Sequence, residues 1–357
     1  MARILSFFTV SIISDSPGAG YFYRKIKDAR KVLVLDLGFL GDTVQLIPAC
    51  YRIRQALPEA ELHVMVADHI KDVLKLTPWI DKILGYPRFP KSESLLKDLP
   101  RVRQLRAARY DAVINVNGSD RSSILTAFTR ARHRLGRVPP KVSLFWKWCY
   151  TDWVSAPFGQ MPVYRARCQC LDKAGFPPFN EEFGVVVPDE LKEKARQRVG
   201  LDGGYVHVSP FTTLDYKELP LPLLTAFLNR LQADNPGLKL VLSCAPNERE
   251  RGKFRELLAR LDFEPWRTFS GDLSLLEVAA VIAGARLHLG GDSGAMNLAF
   301  MVGSPTFTWF RNYENLVEWM PDGVNHSHVI GEATDEGLQG IGIDEMVGTV
   351  QDALAKV

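Results

Sequence analysis

The 357-residue chain has no apolar run of about 20 residues, the length a membrane-spanning helix needs. Its opening, "MARILSFFTVSIISDSPGAG", turns polar too early to span, carries one basic residue and lacks a clear small-x-small cleavage site. Residues 1–23 are expected to form a peripheral extension, packed on the body or lying at a membrane surface. Cysteine is scarce. Cys50, Cys149, Cys168, Cys170 and Cys244 are odd in number and scattered, which speaks against a disulfide framework and for a reducing cytoplasm. The Cys168-x-Cys170 pair has no second pair at zinc-finger spacing, and His326-x-His328 stands alone in a polar stretch, so no metal site is expected. The sequence also lacks G-x-G-x-x-G, the fingerprint of a dinucleotide-binding turn.

Strong net charge is missing too, since the sum is only +3. Its distribution is uneven, however: Lys82 to Tyr150 holds 15 Lys or Arg against 4 acids, while Met296 onward holds 9 acids against Arg311 and Lys356. The basic stretch reads either as a solvated helix surface or as a face for an anionic partner.

What is present is an alternation of short β-rich runs with longer helical periods, the pattern of α/β units with parallel sheets. "KVLVLDLG", "ELHVMVAD", "KILGYP" and "DAVINVNG" read as strands of a first Rossmann-like series, separated by helices that include the basic "LLKDLPRVRQLRAARY". "YVHVSP", "LKLVLSCA", "RLHLGG" and "PTFTWF" read as strands of a second. The expected fold is therefore two Rossmann-like domains facing each other across a cleft. Residues 1–23 are the extension, 24–180 the first domain, 181–335 the second, and 336–357 a C-terminal helix able to pack back on the first; the proline-rich stretch at 175–190 connects the two.

In such sheets ligands sit beyond the carboxyl ends of the strands, so the strand-to-helix turns are the places to look. In "LGFLGDTVQ", Gly38 and Gly41 permit a tight turn, and Asp42 reads either as a helix cap or as a carboxylate able to accept a proton from a hydroxyl. In "VHVSPFTTLDYKELP", Ser209, Thr212, Thr213 and Lys217 supply hydroxyls and an ammonium near a helix start, suited to phosphate or simply forming a polar loop. In "GGDSGAMNLA", Gly290 and Gly291 allow a sharp turn, and Ser293 with Gly294 puts backbone amides at a helix N-terminus, an anion seat. Asp292 would repel phosphate and suits sugar hydroxyls instead. In "LSCAPNERER", Glu248 follows a strand where an acid can hold ribose, while Arg249 and Arg251 read as surface charges.

The stretches "LGFLGDTVQLIPACYRIRQALP", "SPFTTLDYKELP", "APNERE" and "GGDSGAMNLAFMVGSPT" together resemble glycosyltransferase family 9, the ADP-heptose:lipopolysaccharide heptosyltransferases, over roughly residues 31 to 311. The resemblance implies the GT-B fold, with the acceptor held mainly by the first domain and the nucleotide sugar by the second. It implies that Asp42 is the catalytic base, that Gly41 and Arg121 lie near the acceptor, and that Lys217, Thr212 and Thr213 meet the phosphates. Glu248 matches the ribose ligand, though Glu250 is close by. Leu273 falls where backbone atoms read adenine, and Asp292, Ser293 and Gly294 match the Asp-Thr-Gly that grips heptose and diphosphate. Asn297 stands where the family commonly has histidine, so a charge is missing there. The activity implied is an inverting transfer of heptose to a lipopolysaccharide core acceptor that needs no cofactor. Because the chain has no Asp-x-Asp triplet, it is expected to work without a metal. The implied partners are ADP-heptose or a related nucleotide sugar, an anionic lipid-linked core oligosaccharide and the inner-membrane surface on its cytoplasmic face, with no nucleic acid. The basic face from Lys97 to Lys147 would attract that acceptor. Another nucleotide sugar, a non-catalytic glycan-binding or assembly role, and a nicotinamide oxidoreductase with Asp68 as its ribose ligand are the alternatives.

Overall fold

The computed structural model describes residues 14–87, 99–140, 142–156, 159–178 and 182–357. Lys97 and Lys141, which the basic face was expected to include, lie outside the described residues. The chain divides into two compact units, Met1–Gly184 and Val185–Val357.

The first unit is a six-stranded, all-parallel sheet built from β1 (Lys31–Leu35), β2 (Glu61–Ala67), β3 (Lys82–Tyr86), β4 (Ala112–Asn115), β5 (His133–Arg137) and β6 (Asp152–Val154), in the order β3-β2-β1-β4-β5-β6. Its central strands are largely buried because helices cover both faces, so β1, "KVLVL", is buried at every residue after Lys31. On one face Leu33, Leu35, Met65 and Val113 pack with Val102, Leu105 and Leu125 from the flanking helices. Residues 14–26 are stitched to this unit: Ser16 exchanges hydrogen bonds with Trp153 on β6, and Phe22 and Ile26 of the helix Phe22–Ile26 are buried. The described part of the expected extension is thus part of the body.

The second unit carries β7 (Tyr205–Ser209), β8 (Lys239–Cys244), β9 (Arg267–Ser270), β10 (Leu287–Gly291), β11 (Thr306–Arg311), β12 (His326–Thr334) and β13 (Gly337–Gln339), ordered β13-β12-β11-β10-β7-β8-β9. Only β13 runs antiparallel to its neighbour. One face buries Val206, Val208, Leu240, Leu242, Leu287 and Leu289, and the other buries Tyr205 and Val241 against Ala280 and Val281. The closing helix Ile343–Leu354 places Met346, Val347 and Val350 in the first of these cores, so it packs within its own unit.

Counted outward from its first strand, each sheet has the same order, 3-2-1-4-5-6, and the second adds β13 at the end. That order reverses direction between the first and fourth strands, leaving a crevice where chain ends diverge. In the first unit this switch point lies between β1 and β4, where Leu35 pairs with Asn115. In the second it lies between β7 and β10, where Ser209 pairs with Gly290.

Candidate active site

At the first switch point, Asp42 is the third residue of the helix Leu40–Ala56. Its Oδ2 accepts a hydrogen bond from the Phe39 amide at 2.9 Å, so Asp42 caps the helix as the sequence allows. The turn is shaped for it: a Cβ on Gly38 would overlap the Asp42 side chain, so residue 38 is glycine for lack of room. Beneath it lies a buried group that sequence reasoning misses. Arg167, on the helix Val163–Lys173, sends Nη2 to Asp36 Oδ2 at 2.5 Å and to Asp42 Oδ1 at 3.5 Å, and its Nη1 donates to the Asp42 carbonyl. Asp36 accepts as well from the Gly38 amide and from Asn117 Nδ2, both at 2.7 Å. Asp36 is wholly buried and Arg167 nearly so, while Asp42 stays partly exposed. The only sequence signal for Asp36 is an acid closing the run "VLVLD"; Arg167 gives none, being 131 residues away. Asn117 ties the turn after β1 to the loop after β4, which leads directly into the helix Asp120–Thr129. Arg121 on that helix lies 5.9 Å above the Tyr86 ring, with Arg101 at 5.2 Å. Gly41 occupies the helix turn beside Asp42.

At the second switch point the glycine pair explains itself. A Cβ on Gly290 would lie 2.9 Å from the Ser209 carbonyl oxygen, and one on Gly291 would lie 2.8 Å from Trp309 Nε1 and 2.9 Å from Thr212 Cγ2. The loop after β7 therefore lies directly on the end of β10. That closeness brings Lys217 Nζ to Asp292 Oδ2 at 2.5 Å, with the acid almost fully buried. Ser293 caps the helix Gly294–Met301 by accepting from the Met296 amide, leaving the Gly294 end of that helix beside the Lys217–Asp292 pair. Asn297 is buried one turn on, its side-chain amide donating to the Ser293 carbonyl at 2.9 Å. Thr213 is exposed, whereas Thr212 is buried and its hydroxyl donates to the Leu214 carbonyl at 2.8 Å.

Other charges hold this loop in place. Glu218 is buried and accepts from the Thr212 amide at 2.8 Å, from Arg249 Nη2 at 2.6 Å and from Lys253 Nζ at 2.7 Å. Arg249, expected on the surface, also donates Nη1 to the Thr212 carbonyl at 2.7 Å, so it splints the loop. The Arg249 guanidinium and the Lys253 ammonium beside Asp215 hold that carboxyl down at about 2. Arg251 is likewise engaged, its Nε donating to the Ser270 carbonyl at 3.1 Å. Glu248 projects into solvent at the start of its helix, while Glu250 turns back onto the Ala245 amide at 2.9 Å. Leu273 is buried in the core just after Gly271, whose own Cβ would press on Pro246, so the turns after β8 and β9 abut. Sequence reasoning also misses Arg311, which closes β11 between the rings of Tyr216 and Tyr313 at 5.0 and 4.6 Å.

All five cysteines are buried and free. Burial pushes Cys149, Cys170 and Cys244 up to about 11, which unsuits them as nucleophiles. Among the described residues no three His, Cys, Asp or Glu side chains are gathered as metal ligands, and no helix is long and apolar enough to cross a membrane.

The second unit thus gathers Lys217, Asp292 and a helix N-terminus at one switch point, and the first holds a partly exposed carboxylate at the other. Known proteins carry the same architecture. The chain is 22% identical over 289 residues to lipopolysaccharide heptosyltransferase 3 of Escherichia coli, covering 79% of this chain and 84% of that one. The crystal structure of a family 9 glycosyltransferase from Veillonella parvula superposes with a TM-score of 0.80 at 16% identity, covering 92% and 98% of the two chains. The E. coli ADP-heptose lipopolysaccharide heptosyltransferase II does so at 0.74 and 18% identity, covering 91% and 99%. The model of glycosyltransferase family 9 (heptosyltransferase) matches residues 101–336, more than half of the chain. The protein therefore belongs to that family, and is a glycosyltransferase of GT-B fold.

Proposed function

We propose that the protein transfers heptose from ADP-heptose to an anionic, lipid-linked lipopolysaccharide core acceptor, with inversion and without a metal, at the cytoplasmic face of the inner membrane. The observation that carries the donor assignment is the Lys217–Asp292 pair at the N-terminus of the Gly294–Met301 helix. An ammonium has three donors, so Lys217 can hold a diphosphate oxygen while still bonded to Asp292. The helix amides at Ser293 and Gly294 add partial positive charge, and Asp292 is left to accept from sugar hydroxyls. Charge developing on the departing diphosphate is met by these fixed groups, an arrangement worth several kcal/mol in general. The names borne by the similar proteins, heptosyltransferase 3 and ADP-heptose heptosyltransferase II, support the same sugar and donor.

Asp42 takes the proton from an acceptor hydroxyl. That oxygen bonds to the anomeric carbon from the face opposite the nucleotide as the bond from carbon to the diphosphate oxygen breaks, and ADP leaves with the electron pair. Arg167 fixes the carboxylate through Oδ1 and the Phe39 amide fixes it through Oδ2, so the base is preorganised.

The test is Asp42→Asn with ADP-heptose and heptose-deficient core, followed by mass spectrometry of the product. Asparagine keeps an oxygen for the Phe39 amide, so the fold is retained while transfer falls by about 10²–10⁴-fold. Transfer near the wild-type rate would remove Asp42 as the base. Transfer by the wild type from a different nucleotide sugar alone would replace the donor.

A further inference from the structure

Three consecutive helices of the first unit, Leu99–Ala107, Asp120–Thr129 and Leu144–Cys149, pack one against the next along the sheet. They expose an unusual set of side chains. Six large apolar residues are exposed among the described residues of this unit, and four of them, Leu99, Phe128, Leu144 and Trp148, sit on these helices. Leu144 and Trp148 are 62% and 67% exposed and one helical turn apart, so they share a face, while Trp146 and Cys149 of the same helix point into the core. The Trp148 ring stacks with Phe145, centroids 6.1 Å apart, and so stands out as part of a firm aromatic ledge.

The charge along these helices and the loops between them is mostly positive. From Leu99 to Cys149 the sequence holds 11 Lys or Arg against Asp111 and Asp120 alone. Arg103, Arg106, Arg109, Arg130 and Arg132 are exposed, and the Arg106 guanidinium lies 5.6 Å from the Phe128 ring, level with the exposed aromatic. Lys147 lies 5.9 Å from the Trp153 ring, whose Nε1 donates to the Ser14 carbonyl at 3.2 Å. Ser14, the first described residue, therefore lies at the border of this face.

We propose that this face docks the enzyme on an anionic phospholipid surface, with Leu144 and Trp148 entering the boundary between headgroups and acyl chains and the arginines paired with lipid phosphates. Indole and leucine together suit that boundary, and arginine stems lie along it while their heads stay wet. Membrane attachment of a soluble domain takes two signals, an apolar insertion and a basic patch, and both are here. A second copy of the same face would bring like charges together. Nucleic acid would be served by the arginines but not by the aliphatic Leu99 and Leu144. The proposal extends the reading of a lipid-linked acceptor, yet it is tested without sugar transfer, so either can fail alone.

The full chain is sedimented with vesicles of phosphatidylcholine alone and of phosphatidylcholine mixed with phosphatidylglycerol. Binding to the mixed vesicles is expected to exceed that to neutral ones by about tenfold or more and to weaken with salt. Leu144→Ser with Trp148→Ser, and separately Arg103→Glu with Arg106→Glu, should each lower it by about tenfold with an unchanged circular dichroism spectrum. Transfer to a short, lipid-free acceptor should be unchanged in the Leu144→Ser/Trp148→Ser variant. Wild-type protein left in the supernatant, or variants that sediment like it, would overturn the assignment. So would a wild-type dimer that the Leu144/Trp148 variant dissolves, which would give the face to a second copy, or vesicle binding that removal of residues 1–13 abolishes and the two variants leave intact.

Discussion

Asp42 is held by two partners with different reach, one local and one distant. The Phe39 amide comes from its own turn, whereas Arg167 arrives from a helix more than a hundred residues on and is shared with Asp36. With side-chain exposures of 3% and 0%, Arg167 and Asp36 form an ion pair that water barely screens. Removing one member of such a pair strands the other charge, which typically costs about 3–5 kcal/mol. Arg167→Met should therefore lower the unfolding free energy of the first unit, read by urea denaturation, by an amount in that range and, in the folded fraction, slow transfer because Asp42 Oδ1 loses its anchor. Arg167→Lys keeps a charge but cannot fork to two carboxylates and a carbonyl, so it should regain much of the stability and little of the rate. If lysine restored both together, Arg167 would be a structural residue only. The sequence discloses Asp42 at this site, and Gly38 and Gly41 beside it, because a turn is written locally. Arg167 and Asp36 are not legible, since their meaning arises only where two distant helices cross the end of β1.

At the level of elements, the buried face shared by β7, β8 and β10 carries polar side chains where apolar ones are usual. His207 and His288 pair across β7 and β10 with their Nδ1 atoms 2.9 Å apart, and His207 Nε2 lies 2.9 Å from the Ser243 hydroxyl. Burial holds His207 down at about 3, and burial together with His207 holds His288 well below 6.5. The unfolded chain binds protons below 6.5 that the folded pair refuses, so stability is complete above 6.5 and is lost as pH falls from there towards about 3. The expected slope is about 1.4 kcal/mol per pH unit for each ring that must shed its proton on folding. The protection factors of the β7 and β10 amides against hydrogen exchange should fall between pH 7 and pH 5, and replacing both histidines by asparagine should flatten that dependence. Equal slopes in the two proteins would show that other groups govern acid stability. The same elements show what the sequence reveals. β1, β2, β7, β8 and β10 are read correctly because burial on both faces leaves them rich in Val and Leu, with isolated polar residues such as His63, His207, Ser243 and His288 among the apolar ones. β5, "HRLGR", escapes notice because its polar ends are satisfied at long range, with Arg134 Nε donating to the Cys149 carbonyl at 2.9 Å and Gly136 making room for the Tyr150 ring. β9 and β12 escape because only alternate residues of an edge or half-exposed strand need be apolar.

Over the whole molecule, charge divides along the same line as the proposed tasks. Residues 1–184 carry 28 Lys or Arg against 17 acids and residues 185–357 carry 16 against 24, so the units stand at +11 and −8 within a chain whose total is only +3. The unit that holds Asp42 and Arg121 is the basic one, as suits an acceptor bearing phosphates and an anionic membrane. The unit proposed to hold the nucleotide is acidic overall, so the proposed negatively charged donor would be met there by placed groups rather than by bulk attraction. Every group assigned to the donor, from Ser209 to Asn297, lies in the second unit, which has its own two cores and keeps the closing helix within them. A fragment of residues 185–357 should therefore fold by itself and bind ADP with an affinity close to that of the full chain, read by calorimetry, while transferring no sugar because it lacks Asp42. Lys217→Ala in that fragment should weaken ADP binding by about tenfold or more, the usual loss of a charge-assisted hydrogen bond of 1.5–3 kcal/mol. A fragment that is folded by circular dichroism yet blind to ADP, beside a full chain that binds it, would mean that the basic unit supplies part of the diphosphate site. The opposite signs of the two units would then be a feature of nucleotide binding and not only of acceptor choice.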